Sequence, residues 1–449
     1  MLIPDITNLI FSLFLICTSV VFYLNHKNFL IGLYLTIFSL MYIFPALIEL
    51  LSGHHHPAYT NSFYQNTALF YISMYHSIFI LSYLIFERGL KVKQLQIPKW
   101  GEKVSISHNQ YYVILFILFI FSLLSKIYLS NINSINEVMS FEFSMKPFLQ
   151  TIKAVSTYNL IVILIIAYNL KKEALNIYIT YLVYYSIIVV SLYIALISGS
   201  RFEVAIILLI MIYINLEYLK KNYYVLLVPG FLMIIIFKAS AIFRNSKIHD
   251  KEPLSYFDSI VKFTDIQPDI VFSVFLNGID IMVTRFNYLD IVARTIQMSY
   301  DKIDYSFAYY LNVVSLVPRL FWEAKPDIGL DWHEIGQNLL ILGTHDSVTS
   351  VGLGIIGESY YELKLFGLSI AIAHAFIFFY INKKFKGVKL VNYVLYPLLS
   401  IYIVSKDSLI AVLPGFIFIV FPIILVLIFF SNIKIGKNKV KSRSRRGVN

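Results

Sequence analysis

The residues best suited to chemistry in this chain are arginines that lie beside apolar runs of membrane length. The polar stretch Ser198–Arg201 separates two such runs. A cation costs about 2.5 kcal/mol or more at the bilayer centre and less near an interface, so Arg201 requires a nearby anion. Ser200 and Glu203 have the spacing of a helix capping box, which explains these two residues but not the arginine. Because a helix N-terminus with an adjacent arginine forms a phosphate-binding site, Arg201 is predicted to bind an anionic ligand.

A second arginine lies in Asp280–Gln297, where apolar residues recur with helical spacing. At about 100° per residue, Arg285 falls in the middle of the apolar stripe. The stripe consists of Ile281, Leu289, Val292 and Ile296. A buried guanidinium needs a partner, and either a structural carboxylate or a ligand phosphate can supply it. Arg294 falls on the opposite side, where an ion pair with Asp290 four residues earlier accounts for it.

Two further arginines lie near other apolar or aromatic segments. Arg244 follows the end of an apolar run, where it is either an interfacial anchor or a contact to an anionic ligand. Arg319 belongs to the rigid aromatic and basic segment Pro318–Pro326. In that segment Phe321 is expected at the membrane interface, whereas Trp322 can lie there or stack on a sugar face.

Histidine and glutamate supply the candidate general bases. His333 and His345 carry imidazoles, which are the default bases near neutral pH, and their alternative role is that of polar loop residues. Glu358 lies among apolar residues near the membrane, and its alternative role is a buried ion pair with an arginine. The glycines in Gly352–Gly357 lack the strand and helix of a nucleotide site, so they predict close packing or a re-entrant turn.

Neither a metal nor a cofactor is expected. His54, His55 and His56 are consecutive, so their imidazoles diverge, and no second cluster of ligands accompanies them on that loop. No CxxC, HExxH, P-loop or GxSxG motif occurs in the chain. Cys17 is the one cysteine, which excludes an internal disulfide.

The elements that position these residues are predicted to be membrane-spanning helices. Hydrophobic residues make up 58% of the 449 residues and charged residues only 14%, which is typical of a polytopic membrane protein. Backbone groups in lipid must pair internally, and the apolar runs are continuous, so an all-α fold is expected. About eleven spans are predicted: 3–23, 29–51, 67–86, 111–130, 151–169, 177–197, 202–217, 223–238, 360–381, 390–404 and 408–430.

The positive-inside rule orients these spans. With the N-terminus outside, most lysines and arginines fall in inside segments, so the net charge of +11 is a topology signal and the basic tail Lys434–Arg446 is a cytosolic flank. Binding of nucleic acid is not expected. Four parts are predicted, namely an N-terminal bundle of about eight helices (1–238), a large extracytoplasmic loop with short helices (239–350), about three C-terminal spans (351–430) and the tail (431–449).

Together these features resemble the Wzy-type O-antigen and capsular polysaccharide polymerases. The resemblance rests on the large outer loop and on three motif regions. These regions are Ser198–Arg201, Val317–Pro326 and Gly352–Gly367, the last leading into a span. It covers about residues 195–370 by motif and the remainder by layout, and it implies a fold similar to that of the GT-C glycosyltransferases.

The resemblance implies a multi-pass glycosyltransferase of the bacterial cytoplasmic (inner) membrane. Such an enzyme joins undecaprenyl-diphosphate-linked repeat units of a lipopolysaccharide or capsule at the outer face, with inversion and without a nucleotide sugar. The diphosphate would be bound by Arg201, Arg244, Arg285 and Arg319. The proton of the acceptor hydroxyl would go to His345, His333 or Glu358. Expected partners are the lipid-linked oligosaccharides and the bilayer, with a chain-length regulator and a flippase as further candidates.

Two other functions share part of this pattern. An O-antigen ligase also has a GT-C-like layout with a large outer loop, but its acceptor is lipid A-core. A transporter of lipid-linked oligosaccharide would usually have inverted repeats and interrupted helices in both halves, and neither is visible in this sequence.

Overall fold

The computed structural model describes part of the 449-residue chain. The described residues are 10, 13–22, 24, 29–43, 62–94, 105–107, 110, 113–120, 123–124, 163, 165, 185–186, 189–190, 207, 210, 288–301, 353–386, 388, 391–396, 421–431 and 434–436. The chain divides into two compact units, one made of 1–95 with 199–420 and the other of 96–198 with 421–449.

The described residues are almost entirely helical, as the sequence predicts. The first unit contains α1 (Leu13–Phe22), α2 (Phe29–Phe38) with a π-helical turn (Ser39–Ile43), α3 (Ser62–Gly89), α4 (Tyr288–Asp301), α5 (Gly354–Leu363), a 3-10 segment (Lys364–Leu368) and α6 (Ser369–Phe385). The second unit contains α7 (Phe421–Ser431). Residues 391–396 and 113–120 are also helical.

Two helices in the described part of the chain are long and apolar enough to cross a membrane. They are Phe63–Gly89 and the continuous stretch Gly354–Phe385, and they contain the predicted spans 67–86 and 360–381. The shorter helix α1 is also apolar and lies within the predicted span 3–23. The total of eleven spans and the GT-C-like arrangement concern residues that lie mostly outside the described ranges.

Helix α3 is the centre of the first unit, because α1, α2 and α6 all contact it. Ser19 Oγ lies 3.2 Å from His76 Nε2, and the rings of Phe22 and Tyr83 lie 5.8 Å apart, so α1 runs parallel to α3. Three pairs of side chains mark the contact with α6: Tyr75 with His374, Phe79 with Phe378 and Tyr83 with Asn382. Residue numbers rise together in these pairs, so α6 is also parallel to α3.

Helix α2 has the opposite direction. Its Tyr34 ring stacks on Phe79 at 4.2 Å, and Phe38, one turn later, stacks on His76 at 4.5 Å. Three successive membrane spans must alternate in direction, and α1, α2 and α3 do so. For α3 and α6 to cross in the same direction, an odd number of crossings must separate them, and the sequence predicts five between 111 and 238.

Buried hydrogen bonds set the register of α6 against α3. Asn382, 7% exposed, donates through Nδ2 to the Tyr83 hydroxyl at 3.1 Å and accepts the Tyr396 hydroxyl at Oδ1, also at 3.1 Å. At the ends of the same helices Lys383 Nζ lies 3.6 Å from Glu87 Oε1. Polar side chains between apolar helices act as such links because few other partners are available in lipid.

Replacing Asn382 by Leu is expected to destabilise the contact between α6 and α3. Two buried hydrogen bonds disappear, each contributing about 0.6 kcal/mol and at most about 1.7, so the loss should be about 1–2 kcal/mol. Tyr396→Phe should cost about half as much. Thermal unfolding of the purified protein in detergent measures both. Tyr380→Phe, which removes a hydroxyl from a side chain 40% exposed, is the control and should leave stability unchanged; equal losses in all three variants would contradict the assignment.

Among the described residues, the second unit contains a short β-sheet, which is an exception to the predicted all-α fold. Strand β1 (Ser105–Ser107) pairs in parallel with strand β2 (Lys434–Gly436), with Ile106 opposite Ile435. Segments that pair lie on the same side of a membrane. This pairing therefore agrees with the prediction that the loop after α3 and the basic tail share one compartment.

Candidate functional site

Of the predicted site residues, Glu358 is the one that falls in the described part of the chain. The other candidate bases, His333 and His345, lie outside the described residues. So do the predicted anion-binding residues Arg201, Arg244, Arg285 and Arg319 and the histidines His54, His55 and His56. Their roles stay predictions, and the structure describes the surroundings of Glu358.

Glu358 lies on a fully buried polar face of α5. Its side chain is 0% exposed, as is that of Ser359, and Glu362, one turn later, is 1% exposed. Charged side chains are almost never fully buried unless they have partners. A substrate hydroxyl cannot reach a carboxylate that is completely covered. In this conformation the burial of Glu358 favours a structural role over that of an open catalytic base.

Helix α5 packs against α4, a helix of the 239–350 segment. At Gly357 a side chain would meet Val292 Cγ2 at 3.7 Å and Thr295 Oγ1 at 3.8 Å, so the two helices approach closely. Gly354 has φ +66°, and a side chain there would lie 3.0 Å from the Tyr288 ring. For Gly354 and Gly357 these contacts agree with close packing, one of the two roles predicted for the glycines in Gly352–Gly357.

The helical interpretation of the arginine segment is confirmed for the residues in α4. Leu289 and Val292 are 0% exposed and Ile296 is 1% exposed, so the predicted apolar stripe is the buried face. Arg294 lies off this face and donates a hydrogen bond from Nη1 to Gln297 Oε1 at 2.7 Å. The predicted partner is Asp290, four residues earlier, whereas this hydrogen bond is to a residue three positions later. Arg285 precedes the first described residue of the helix.

Tyr71 of α3 contacts the part of α5 in which Glu358 and Ser359 are buried. Its hydroxyl lies 3.1 Å from Ser359 Oγ and 3.4 Å from the Lys364 carbonyl, and its one proton is shared between these two acceptors. Ser359 in turn donates to the Ile356 carbonyl at 2.8 Å. These bonds tie α3 to the end of α5, so one membrane-length helix holds the other at the position where Glu358 and Glu362 are buried.

The backbone departs from α-helical geometry between α5 and α6. Lys364 has φ +53°, and it is the one residue other than glycine with positive φ among those described. Such a backbone conformation costs about 1–3 kcal/mol and persists only where surrounding contacts impose it. The contacts here include the Tyr71 bond and Gly367, at which a side chain would collide with the Ser359 backbone. After the turn Leu365 and Phe366 are 67% and 78% exposed.

Sequence reasoning missed Tyr71, Ser359 and Glu362. Ser359 and Glu362 follow Glu358 by one and four positions, so the helical repeat could have placed Glu362 on the same face. Tyr71 has no such signal, because it is one of 34 tyrosines and lies within an apolar run. The described residues include no group of three or more His, Cys, Asp or Glu side chains that could hold a metal ion.

Comparison of the chain with protein-family models, with curated proteins and with solved structures finds no match in any of the three.

Proposed function

We propose that this chain is a membrane polysaccharide polymerase. It transfers a growing glycan from undecaprenyl diphosphate to an incoming lipid-linked repeat unit at the outer face of the cytoplasmic membrane. The observation that carries the proposal is the junction at which α4, from the 239–350 segment, packs on α3 and on α5, the helix that contains the buried carboxylates Glu358 and Glu362.

The chemistry of the proposed reaction needs a proton acceptor and an anion site. An acceptor hydroxyl oxygen attacks the anomeric carbon of the growing glycan, the bond from that carbon to the diphosphate oxygen breaks, and the configuration inverts. The diphosphate leaves with the bonding electron pair, and the hydroxyl proton passes to a base. Guanidinium groups match phosphate oxygens in geometry and charge, which suits Arg201, Arg244, Arg285 and Arg319 to the leaving group.

The junction supports this proposal because one of its two sides belongs to the segment that contains most of the predicted site residues. The 239–350 segment contributes Arg244, Arg285 and Arg319 together with His333 and His345. Its helix α4 packs on the first turns of α5 and on α3, so this segment is anchored to both membrane-length helices. A lipid-linked diphosphate lies at the membrane surface, where a segment anchored to the ends of spans would meet it.

The burial of Glu358 supports a histidine as the general base. Because Glu358 is covered, we assign it to holding α5 in place, and His345 or His333 to accepting the proton. This is a choice among the three residues that the sequence leaves open.

The orientation of the 239–350 segment is the first test. In a Cys17→Ser background, a cysteine at Ser306 should react with a membrane-impermeant maleimide in intact cells. A cysteine at Ser442 should react only after lysis, because the tail is expected in the cytosol. Reaction of Ser306→Cys only after lysis would place the arginines and histidines in the wrong compartment for the proposed reaction.

Deletion of the gene separates the proposed function from its two rivals. Loss of a polymerase should leave single repeat units attached to the final acceptor, whereas loss of a ligase should leave none attached. Loss of a transporter should leave the lipid-linked units on the cytosolic side. A glycan profile of the deletion strain, with and without the wild-type chain supplied in trans, distinguishes the three.

A further inference from the structure

A groove between α1 and α3 is separate from the polar junction. It has a volume of about 860 Å³ and opens to the outside of the helix bundle. Apolar side chains make most of its walls, among them Phe14, Val21, Ile80 and Leu84. Ser77 lies towards one end and Arg88 at the other. Because the exposed wall residues face away from the bundle, the groove is open to the lipid phase of a membrane.

The length of the groove matches one leaflet. Along α3 the lining residues run from Ser77 to Arg88, which is about 16 Å at a rise of about 1.5 Å per residue. Half of a hydrocarbon core of about 30 Å is about 15 Å. An acyl chain lying in the groove would therefore end near the middle of the bilayer, with its headgroup beside Arg88.

Positive charge collects at the Arg88 end. Arg88, Lys91 and Lys93 are all exposed. Glu87 also lines the groove, but it forms an ion pair with Lys383 at 3.6 Å, so the excess charge at this end is positive. Within the described part of the chain no ion pair is recorded for Arg88.

We propose that this groove binds an anionic phospholipid, with one acyl chain along α1 and α3 and its phosphate beside Arg88. The apolar walls select a hydrocarbon chain, and the guanidinium at the rim selects a negatively charged headgroup. The lipid would occupy the leaflet at the end of α3 that carries Arg88. This site does not depend on the function proposed above.

Cys17 lines the groove, is exposed and is the one cysteine of the chain, so its alkylation reports occupancy without any mutation. The full-length protein in detergent is incubated with phosphatidylglycerol or with phosphatidylcholine, and the rate of Cys17 alkylation by N-ethylmaleimide is measured. One surface cation favours an anionic lipid about fivefold, so phosphatidylglycerol should protect Cys17 at about fivefold lower concentration than phosphatidylcholine does.

Variants of the rim test the role of charge. Arg88→Gln should remove the difference between the two lipids, whereas Arg88→Lys should retain it. Lys386→Gln is the matched control and should behave like the wild type, because Lys386 is an exposed lysine just beyond the end of α6 and does not line the groove. Native mass spectrometry of the same proteins should count one retained phosphatidylglycerol fewer for Arg88→Gln. Equal protection by both lipids in the wild type, no protection by either, or an unchanged preference in Arg88→Gln would each overturn the proposal.

Discussion

Arg201→Ala and Arg285→Ala should each abolish long polymer while the protein still reaches the membrane. If these guanidinium groups stabilise the charge that develops on the leaving diphosphate, removing one should slow transfer by about 100- to 1,000-fold. Each variant is supplied in trans to a deletion strain, and the length distribution of its surface glycan is compared with that of the wild type. Immunoblotting of the membrane fraction checks that the variant is present.

Arg294→Ala is the matched control for this experiment. It lies on the same segment as Arg285, but it is bonded to Gln297 at 2.7 Å and lies off the buried face of α4. Polymer length in this variant should be normal. Lysine at Arg201 or Arg285 should recover only part of the activity, because an ammonium group cannot match two phosphate oxygens as a guanidinium fork does. Normal polymer from both alanine variants would remove these residues from the proposed site.

Gly367→Ala should have the largest effect on stability. A side chain at this position would collide with the backbone of Ser359 and lie 2.6 Å from the Tyr71 hydroxyl. The first obstacle is the backbone of α5, which cannot rotate away as a side chain would. Overpacking in a tight core usually costs about 1–3 kcal/mol, and we expect about 3 kcal/mol or more here. The measurements are folded yield by size-exclusion chromatography in detergent and the temperature of unfolding.

Gly89→Ala provides the comparison. Gly89 is the last residue of α3, and a side chain there meets nothing within 4 Å. This variant should have the yield and unfolding temperature of the wild type. If Gly367→Ala behaves in the same way, the 3-10 segment does not pack against Ser359, and the turn at Lys364 is not imposed by that contact.

Periodic patterns made part of the fold predictable. The two long helices contain the predicted spans, but they begin earlier, at residues 62 and 354. Polar residues such as Gln65 and Glu358 lower the local hydropathy, so the apolar run ends before the helix does, and their burial between helices keeps them in place. The stripe of α4 was predictable for the same reason, because Leu289, Val292 and Ile296 repeat at the helical period.

Pairings between distant residues could not be predicted. The bond between Tyr71 and Ser359 joins residues 288 positions apart, and those of Tyr75 with His374 and Tyr83 with Asn382 each join residues 299 apart. No local pattern identifies the partner of a tyrosine in an apolar helix. The strands β1 and β2 are three residues each and pair across more than half of the chain, which is too short a signal for an alternating pattern.

The parallel contact of α3 with α6 has a consequence for the order of assembly during translation. A ribosome releases Tyr71, Tyr75 and Tyr83 long before it reaches Ser359, His374 and Asn382, so these hydroxyls enter the bilayer before their partners exist. Contacts between such distant residues form late and slowly. The N-terminal helices must therefore wait, with polar groups facing lipid or the insertion machinery, until the last quarter of the polypeptide is inserted beside them.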